Sequence, residues 1–185
     1  MNLANKLTLI RISLIPLFMF FLYLGPYLPG TAEIIAVAIF IIAAGTDKID
    51  GYIARKYDMI TTFGKVMDPV ADKLLIAAVF ISLADLQPAV SAWPVILIIA
   101  REFLVSALRM IAASEGEVIP ANRWGKIKTS LQVFASFLLI LHPVVFYLPG
   151  AIPVILIWVT AVFTLYSGLI YFRQADIDFF SPPDK

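Results

Sequence analysis

Residues 34–56 read IIAVAIFIIAAGTDKIDGYIARK, an apolar run that ends in a segment with two aspartates and three basic residues. A helix needs about 20 largely apolar residues to cross a bilayer, and this run has the length and composition of such a helix. Asp47 and Asp50 are three positions apart, so they share one helix face. The stretch therefore predicts a spanning helix that presents a carboxylate pair at one membrane surface.

The whole chain has the composition of a membrane protein. Of its 185 residues, 61% are hydrophobic and 15% are charged, against roughly 25% charged in an ordinary soluble domain. A soluble chain of this length leaves too much surface in water to hide so many apolar side chains. Cysteine is absent and His142 is the only histidine, which excludes disulfides, thiolate catalysis and multi-histidine metal sites. We expect His142 to be structural.

Six apolar stretches are long enough to be spanning helices, which predicts an all-α, polytopic membrane protein. The first stretch lacks the cleavage pattern of a signal peptide, so we interpret it as a span. One membrane domain, residues 1–173, and a polar cytoplasmic tail, residues 174–185, are the predicted organisation. The predicted spans are 7–24, 33–56, 62–84, 94–113, 127–148 and 152–172.

The distribution of lysine and arginine predicts the orientation, because these residues accumulate in cytoplasmic loops. The turn-rich segments 25–30, 87–88 and 148–150 contain none, whereas the opposite helix ends carry every basic residue except Arg101. Both chain termini and the aspartates are therefore expected on the cytoplasmic side.

Arg101 is the one basic residue that falls clearly inside a predicted span. Arginine within a span usually faces a polar cavity or a buried partner. Its neighbour Glu102 points about 100° away on a helix and is not the expected partner. Arg101 either faces the site or ties helices together, and the sequence leaves both interpretations open.

A second carboxylate pair, Asp68 and Asp72, lies at the opening of the third predicted helix, four positions apart and on one face. Pro69 falls in the first turn if the helix begins near Met67, and kinks it if the helix begins at residue 61 or 62. Two antiparallel helices would bring both pairs to one depth, where uncompensated carboxylates are costly. Oxygen ligands suit Mg²⁺ or Mn²⁺, and two ions about 4 Å apart would fit such a cluster.

The alternative for these aspartates is a set of salt bridges at a wet interface. Glycines beside both pairs favour a ligand site, because a residue without a side chain lets a phosphate approach the helix backbone. Glycine in membrane helices also serves helix packing. The basic residues available for salt bridges are Lys48, Arg55, Lys65 and Lys73.

Residues 47–72 read D-x-x-D-G-x-x-A-R, eight further residues, and then G-x-x-x-D-x-x-x-D. This pattern resembles the signature of the CDP-alcohol phosphotransferase family at every specified position. The resemblance implies a metal-dependent CDP-alcohol phosphatidyltransferase with Asp72 as the catalytic base. Its implied cofactor is a pair of divalent ions, either Mg²⁺ or Mn²⁺. The implied metal ligands are Asp47, Asp50, Asp68 and Asp72, and the implied CDP-binding residues are Asp47, Asp50, Gly51, Ala54, Arg55 and Gly64.

The resemblance extends to three further segments, which contain Asn5 with Thr8 and Arg11, residues 101–109, and residues 125–129. They look like the bacterial branch of the family that transfers the phosphatidyl group from CDP-diacylglycerol to glycerol 3-phosphate and releases CMP. An anionic acceptor needs cationic groups near the metals. Contact with anionic lipid headgroups is the alternative for such residues. The predicted acceptor phosphate-binding residues are Arg109, Arg123, Lys126 and Lys128.

The resemblance also implies a multi-pass protein of the bacterial cell membrane with a cytoplasmic active site, a homodimer, membrane lipids as partners and no nucleic acid. Other functions fit some of the same residues. A related synthase of the cardiolipin, phosphatidylserine or phosphatidylinositol-phosphate type would use another acceptor. An ion transporter would use the acidic cluster as an ion site, but would place it near the bilayer midplane. A catalytically dead scaffold would have no need of the intact aspartates.

Overall fold

The computed structural model describes residues 3–56, 62–114, 122–142 and 144–174, without the side chains of 3–4, 47–56, 62–63, 65–66 and 114. These residues form six helices and no strand, which confirms the predicted all-α class. The helices are α1 (Leu3–Leu24), α2 (Thr31–Lys56), α3 (Thr62–Leu86), α4 (Ala92–Ser114), α5 (Arg123–Leu141) and α6 (Ile152–Gln174).

Helix α5 differs from the predicted span of 127–148 at both ends. It begins earlier because Asn122 caps it, with the side-chain oxygen accepting a 2.7 Å hydrogen bond from the Gly125 amide. It ends at Leu141, and His142 is extended, with φ −85° and ψ 139°. A residue before proline is biased away from helix, and Pro143 follows. The prediction was wrong because it carried the apolar run through this proline.

Helix α3 begins at Thr62, so Pro69 lies inside the helix rather than in its first turn. A proline there cannot donate a backbone hydrogen bond to the preceding turn. The Lys73 ammonium donates a 2.9 Å hydrogen bond to the Pro69 carbonyl. Asp68 and Asp72 lie one turn apart on either side of this proline.

The core takes a large apolar side chain from every helix. Helix α1 packs against α2 and α3, α4 packs against α3 and α6, and α5 packs against α2, α3 and α6. Close packing of such side chains stabilises the bundle through dispersion contacts. Fully buried members are Phe18, Phe40, Phe80, Ile98, Leu139 and Ile157.

The turns at the end of the bundle opposite to Asp68 and Asp72 are fixed by local hydrogen bonds. Gly30 has a φ of 83°, a conformation that costs a residue with a side chain, and its amide donates to Glu33 at 2.8 Å. Gln87 donates from its amide nitrogen to the carbonyls of Leu139 and His142 at 2.6 and 2.8 Å. The His142 ring accepts a 3.1 Å hydrogen bond from the Leu148 amide. His142 is therefore part of the turn structure, as expected.

Large apolar side chains are exposed on all six helices, among them Phe20, Trp93 and Phe134. Extended exposed apolar surface is typical of a protein that contacts lipid or a partner. Within the described ranges, two helical segments are long and apolar enough to cross a membrane, Asn5–Leu24 and Ile152–Gln174, and Thr31–Thr46 is a shorter apolar one. The number of spans therefore stays a prediction.

Candidate active site

Thr8 on α1 contacts the first carboxylate of α3. Its hydroxyl donates a 2.6 Å hydrogen bond to Oδ1 of Asp68, and Thr8 itself is buried. A carboxylate has several lone pairs, so Asp68 can accept this hydrogen bond and still bind a cation. The contact fixes the orientation of the Asp68 side chain.

Asp72 lies one turn further along α3, where two cavities meet. The first, of about 610 Å³, lies between α3, α4, α5 and α6, and we call it the polar cavity. The second, of about 510 Å³, lies between α2, α3 and α5, and we call it the apolar cavity. Asp72, Thr129 and Ser130 line both. One carboxylate thus borders a charged compartment and a hydrocarbon-like one.

The described part of the polar cavity's lining carries an excess of positive charge. Among the residues that the structure describes, five basic and two acidic residues line this cavity. A recess lined by one sign of charge attracts ligands of the other sign, so the polar cavity suits an anion. The basic residues are Lys73, Arg101, Arg109, Lys126 and Lys128; the acidic ones are Asp72 and Glu102; the others are Val105, Ser106, Asn122, Gly125, Thr129, Ser130 and Tyr171.

Three charged groups in its wall are buried together: Arg101, Glu102 and Lys128 are 6, 9 and 7% exposed. The Lys128 ammonium donates a 2.6 Å hydrogen bond to Oε1 of Glu102. The Arg101 guanidinium lies 3.5 Å from the same oxygen. Glu102 is a partner of Arg101 although helix geometry did not make it the expected one, because long side chains can turn toward each other from adjacent helical positions. Arg101 both lines the cavity and has a buried partner.

Helix α6 supplies the other contacts of Arg101. The guanidinium donates a 3.1 Å hydrogen bond to the Ser167 hydroxyl and its central carbon lies 5.7 Å from the centre of the Tyr171 ring. A Cβ on Gly168 would lie 2.9 Å from Cγ of Arg101, closer than packed carbon atoms allow. Arg101 therefore also ties α4 to α6, and Gly168 leaves the space for it.

Comparison with known proteins identifies the family of the chain. A sequence model described as CDP-alcohol phosphatidyltransferase matches residues 1–166. The chain belongs to the CDP-alcohol phosphatidyltransferase family. The resemblance inferred from residues 47–72 is thus confirmed.

Several relatives of the phosphatidyltransferase family are similar over nearly the whole chain. The chain is 47% identical to the CDP-diacylglycerol--glycerol-3-phosphate 3-phosphatidyltransferase of Bacillus subtilis strain 168, with 94% of each protein covered. It is 42% identical to the protein of the same name from Rickettsia felis, over 93% of this chain and 94% of the relative. It is 39% identical to a probable phosphatidylglycerophosphate synthase of Mycobacterium tuberculosis H37Rv, over 94 and 81%.

The structure brings part of the predicted phosphatidyltransferase site together. Arg109, Lys126 and Lys128 line the polar cavity with Asp72. Arg123, at the first position of α5, is exposed and is not among the described lining residues. Five predicted residues on the last turns of α2 have side chains outside the described structure. These are Asp47, Asp50, Gly51, Ala54 and Arg55.

The N-terminal parts of α1 and α3 hold the remaining residues of the resemblance. Thr8 and Arg11 are each 1% exposed, Asn5 is partly buried, and Gly64 is buried near the start of α3. Among the side chains that the structure describes, no three acidic or histidine residues cluster as a metal site would require. Asp68 and Asp72 supply oxygen donors of the type that Mg²⁺ and Mn²⁺ prefer.

Sequence reasoning missed the contribution of α6 and of the α5 cap. Tyr171 lines the polar cavity, and its hydroxyl accepts a 3.2 Å hydrogen bond from the backbone amide of Asn122. A Cβ on Gly125 would lie 3.0 Å from that hydroxyl. One signal was present: the buried polar positions of the otherwise apolar α6 recur with helical spacing. They are Thr160, Thr164, Ser167 and Tyr171.

Proposed function

We propose that this chain transfers the phosphatidyl group of CDP-diacylglycerol to glycerol 3-phosphate, giving phosphatidylglycerophosphate and CMP. The observation that carries the proposal is the position of Asp72 between the polar and the apolar cavity. A reaction between a lipid and a soluble anion needs such a junction. The names of relatives 39 to 47% identical to the chain support the same donor and acceptor.

The polar cavity is the proposed site for glycerol 3-phosphate. Arg109, Lys126 and Lys128 line it and would bind the acceptor phosphate through charge-assisted hydrogen bonds. Arg123 also belonged to the predicted acceptor set. Because it lies outside the lining, we assign it instead to anionic lipid headgroups, which attract basic residues at a membrane surface.

The apolar cavity is the proposed site for an acyl chain of the donor. Phenylalanine and aliphatic side chains line it, including Phe40, Leu75 and Phe137. The cytidine diphosphate would lie at the cytoplasmic ends of α2 and α3, where the family resemblance assigns its binding residues. These are Asp47, Asp50, Gly51, Ala54, Arg55 and Gly64.

Two divalent metal ions, either Mg²⁺ or Mn²⁺, complete the proposed site. Their ligands would be Asp47, Asp50, Asp68 and Asp72. The donor chemistry fits, since Asp68 and Asp72 provide oxygen ligands one turn apart on α3 and Thr8 orients Asp68. When bound, the ions would neutralise charge on the diphosphate and on its leaving oxygen.

Asp72 is the proposed base. Its carboxylate would accept the proton of the attacking hydroxyl of glycerol 3-phosphate. The hydroxyl oxygen then bonds to the β-phosphorus of CDP-diacylglycerol, while the bond from that phosphorus to the bridging oxygen breaks and CMP leaves. Arg109, Lys126 and Lys128 would hold the acceptor phosphate, so that the hydroxyl stays directed toward the donor.

The proposed setting is the bacterial cell membrane, with six spans, both termini in the cytoplasm, a cytoplasmic active site and a homodimer. Exposed apolar side chains on all six helices support the membrane setting. The lack of lysine and arginine in segments 25–30, 87–91 and 142–151 supports the orientation. The homodimer rests on the family resemblance.

Purified protein in lipid nanodiscs with CDP-diacylglycerol and Mg²⁺ tests this function. Separate reactions would receive glycerol 3-phosphate, serine, inositol phosphate or phosphatidylglycerol, and CMP release would be measured. We expect CMP with glycerol 3-phosphate alone, loss of CMP with EDTA, and recovery with excess Mg²⁺ or Mn²⁺. CMP release with a different acceptor only would instead identify a related synthase.

A further inference from the structure

We infer that Glu102 is a positioning residue for the acceptor, because its carboxylate holds Lys128 and Arg101 in the wall of the polar cavity. The inference rests on the proposed function and assigns Glu102 a role in it that acts through Lys128, whereas Arg101 is also held by Ser167. Glu102 itself would make no contact with the reacting atoms.

One oxygen of Glu102 receives donors from two helices. Oε1 accepts 2.6 Å and 3.0 Å hydrogen bonds from Lys128 and Gln132 of α5, and the Arg101 guanidinium of α4 lies 3.5 Å away. A group with three such contacts has little freedom to rotate. The ammonium of Lys128 is therefore held at one place on the cavity wall.

Burial makes the charge of Glu102 essential to this arrangement. Arg101 and Lys128 are both under 10% exposed and share the same carboxylate. Without it, two cations would lie close together with little water to screen their repulsion. Removing one partner of a buried ionic group leaves an uncompensated charge, which is strongly destabilising. A lysine ammonium on its flexible stem lowers that cost by moving to solvent. Lys128 would then leave the wall.

Arg101, Glu102 and Lys128 together have the net charge and the hydrogen-bond donors that bind an anion. Two cations and one carboxylate leave a formal charge of +1 in the wall. An ammonium has three N–H donors and a guanidinium has five, whereas the contacts to Glu102 and Ser167 engage one donor of Lys128 and two of Arg101. Nε of Arg101 is buried and has no hydrogen-bond partner among the described residues, so the available donors are those of the ammonium and of the two terminal guanidinium nitrogens. Further donors can thus be directed to a phosphate in the cavity, and donors fixed before binding cost no reorganisation when the ligand arrives.

The same carboxylate also belongs to a structural connection, which the test must separate from positioning. Gln132 bonds to Glu102 and, at 3.3 Å, to the Thr164 hydroxyl of α6. A purely structural Glu102 would affect thermal stability and both substrates alike. A positioning Glu102 would affect glycerol 3-phosphate selectively and would act through Lys128.

Steady-state kinetics of Glu102→Gln, Lys128→Met and the double variant, with each substrate varied in turn, test the inference. We expect Glu102→Gln to raise the KM for glycerol 3-phosphate by about 30-fold or more, the effect of losing one partner of a buried charge pair, and to leave the KM for CDP-diacylglycerol within about twofold. In the Lys128→Met background, adding Glu102→Gln should change the acceptor KM less than about twofold.

Thr164→Val is the matched control, since it removes a hydrogen bond of the same network away from the cavity. It should lower the melting temperature and keep both KM values.

Three outcomes would each overturn the inference: an unchanged acceptor KM in Glu102→Gln, equal changes in both KM values of that variant, or multiplying effects in the double variant. If Glu102→Gln does not fold, Glu102→Asp keeps the charge one methylene further away, and an unchanged acceptor KM in that variant would overturn it. Wild-type protein that is inactive with glycerol 3-phosphate would refute the proposed function instead.

Discussion

The hydroxyl of Thr8 donates a 2.6 Å hydrogen bond to Oδ1 of Asp68, which joins α1 to the first carboxylate of α3. Hydrogen-bond partners of a metal ligand orient it, and their loss typically costs about 10 to 100-fold in metal affinity. We therefore expect Thr8→Val to weaken Mn²⁺ binding by about tenfold. Electron paramagnetic resonance titration of free Mn²⁺ measures this without turnover. Thr8→Ser keeps the donor and should bind like wild type; equal affinity in Thr8→Val would contradict a role in the metal site.

Asp72→Asn tests the proposed base. The amide keeps the size of the side chain and cannot accept the proton, so CMP release should fall by about 10² to 10⁴-fold. Asp72 is exposed to the two cavities rather than packed in the core, so the melting temperature should stay close to that of wild type. Retained turnover in a folded variant would remove Asp72 from the role of base.

Lys126 and Arg123 form a matched pair on the first turn of α5, because both are exposed and only Lys126 is among the described residues that line the polar cavity. Lys126→Ala should raise the KM for glycerol 3-phosphate by about tenfold, the effect of a lost charge-assisted contact. Arg123→Ala should stay within about twofold. The reverse order of the two effects would show that the phosphate binds elsewhere.

Ile41 and Ile42 are adjacent exposed residues of α2, and Ile41 alone of the two is among the described residues that line the apolar cavity. Ile41→Trp would fill part of that cavity. We expect it to raise the KM for CDP-diacylglycerol by about tenfold, because the indole and the acyl chain would compete for the same space and overpacking costs about 1 to 3 kcal/mol, and to spare the acceptor KM. Ile42→Trp should change neither. Initial rates at varied mole fraction of the donor measure both.

Gly168 and Gly45 test the space that Arg101 needs. A Cβ on Gly168 would lie 2.9 Å from Cγ of Arg101, whereas nothing lies within 4 Å of a Cβ on Gly45. Gly168→Ala should therefore reduce stability by about 1 to 3 kcal/mol, measured as a lower melting temperature in detergent. Gly45→Ala, which gains helix propensity, should melt at or slightly above the wild-type temperature. Equal stability of the two variants would mean that Arg101 can move aside.

Local sequence patterns predicted the helices and the carboxylate pair of α3. Apolar runs bounded by turn residues predicted six helices in the right order, because helix length and turn chemistry are local properties. The spacing of Asp68 and Asp72 likewise fixed their common face. The end of α5 was missed because hydrophobicity was given more weight than Pro143.

Contacts between distant segments could not be read in the same way. Arg101 bonds to Ser167, 66 positions away, and Glu102 bonds to Lys128, 26 positions away. Such pairs depend on which helices are neighbours, and the local patterns of a single sequence do not reveal this. The metal and CDP assignments on α2 stay predictions, since the side chains concerned lie outside the described structure.

The junction at Asp72 has a kinetic consequence. The two substrates proposed for the cavities reach this carboxylate from different phases, one by lateral diffusion in two dimensions and one from bulk solution. The effective concentration of the donor is then its mole fraction in the bilayer, not its amount per volume. Membrane composition would therefore set the flux through this enzyme as directly as the cytoplasmic acceptor does.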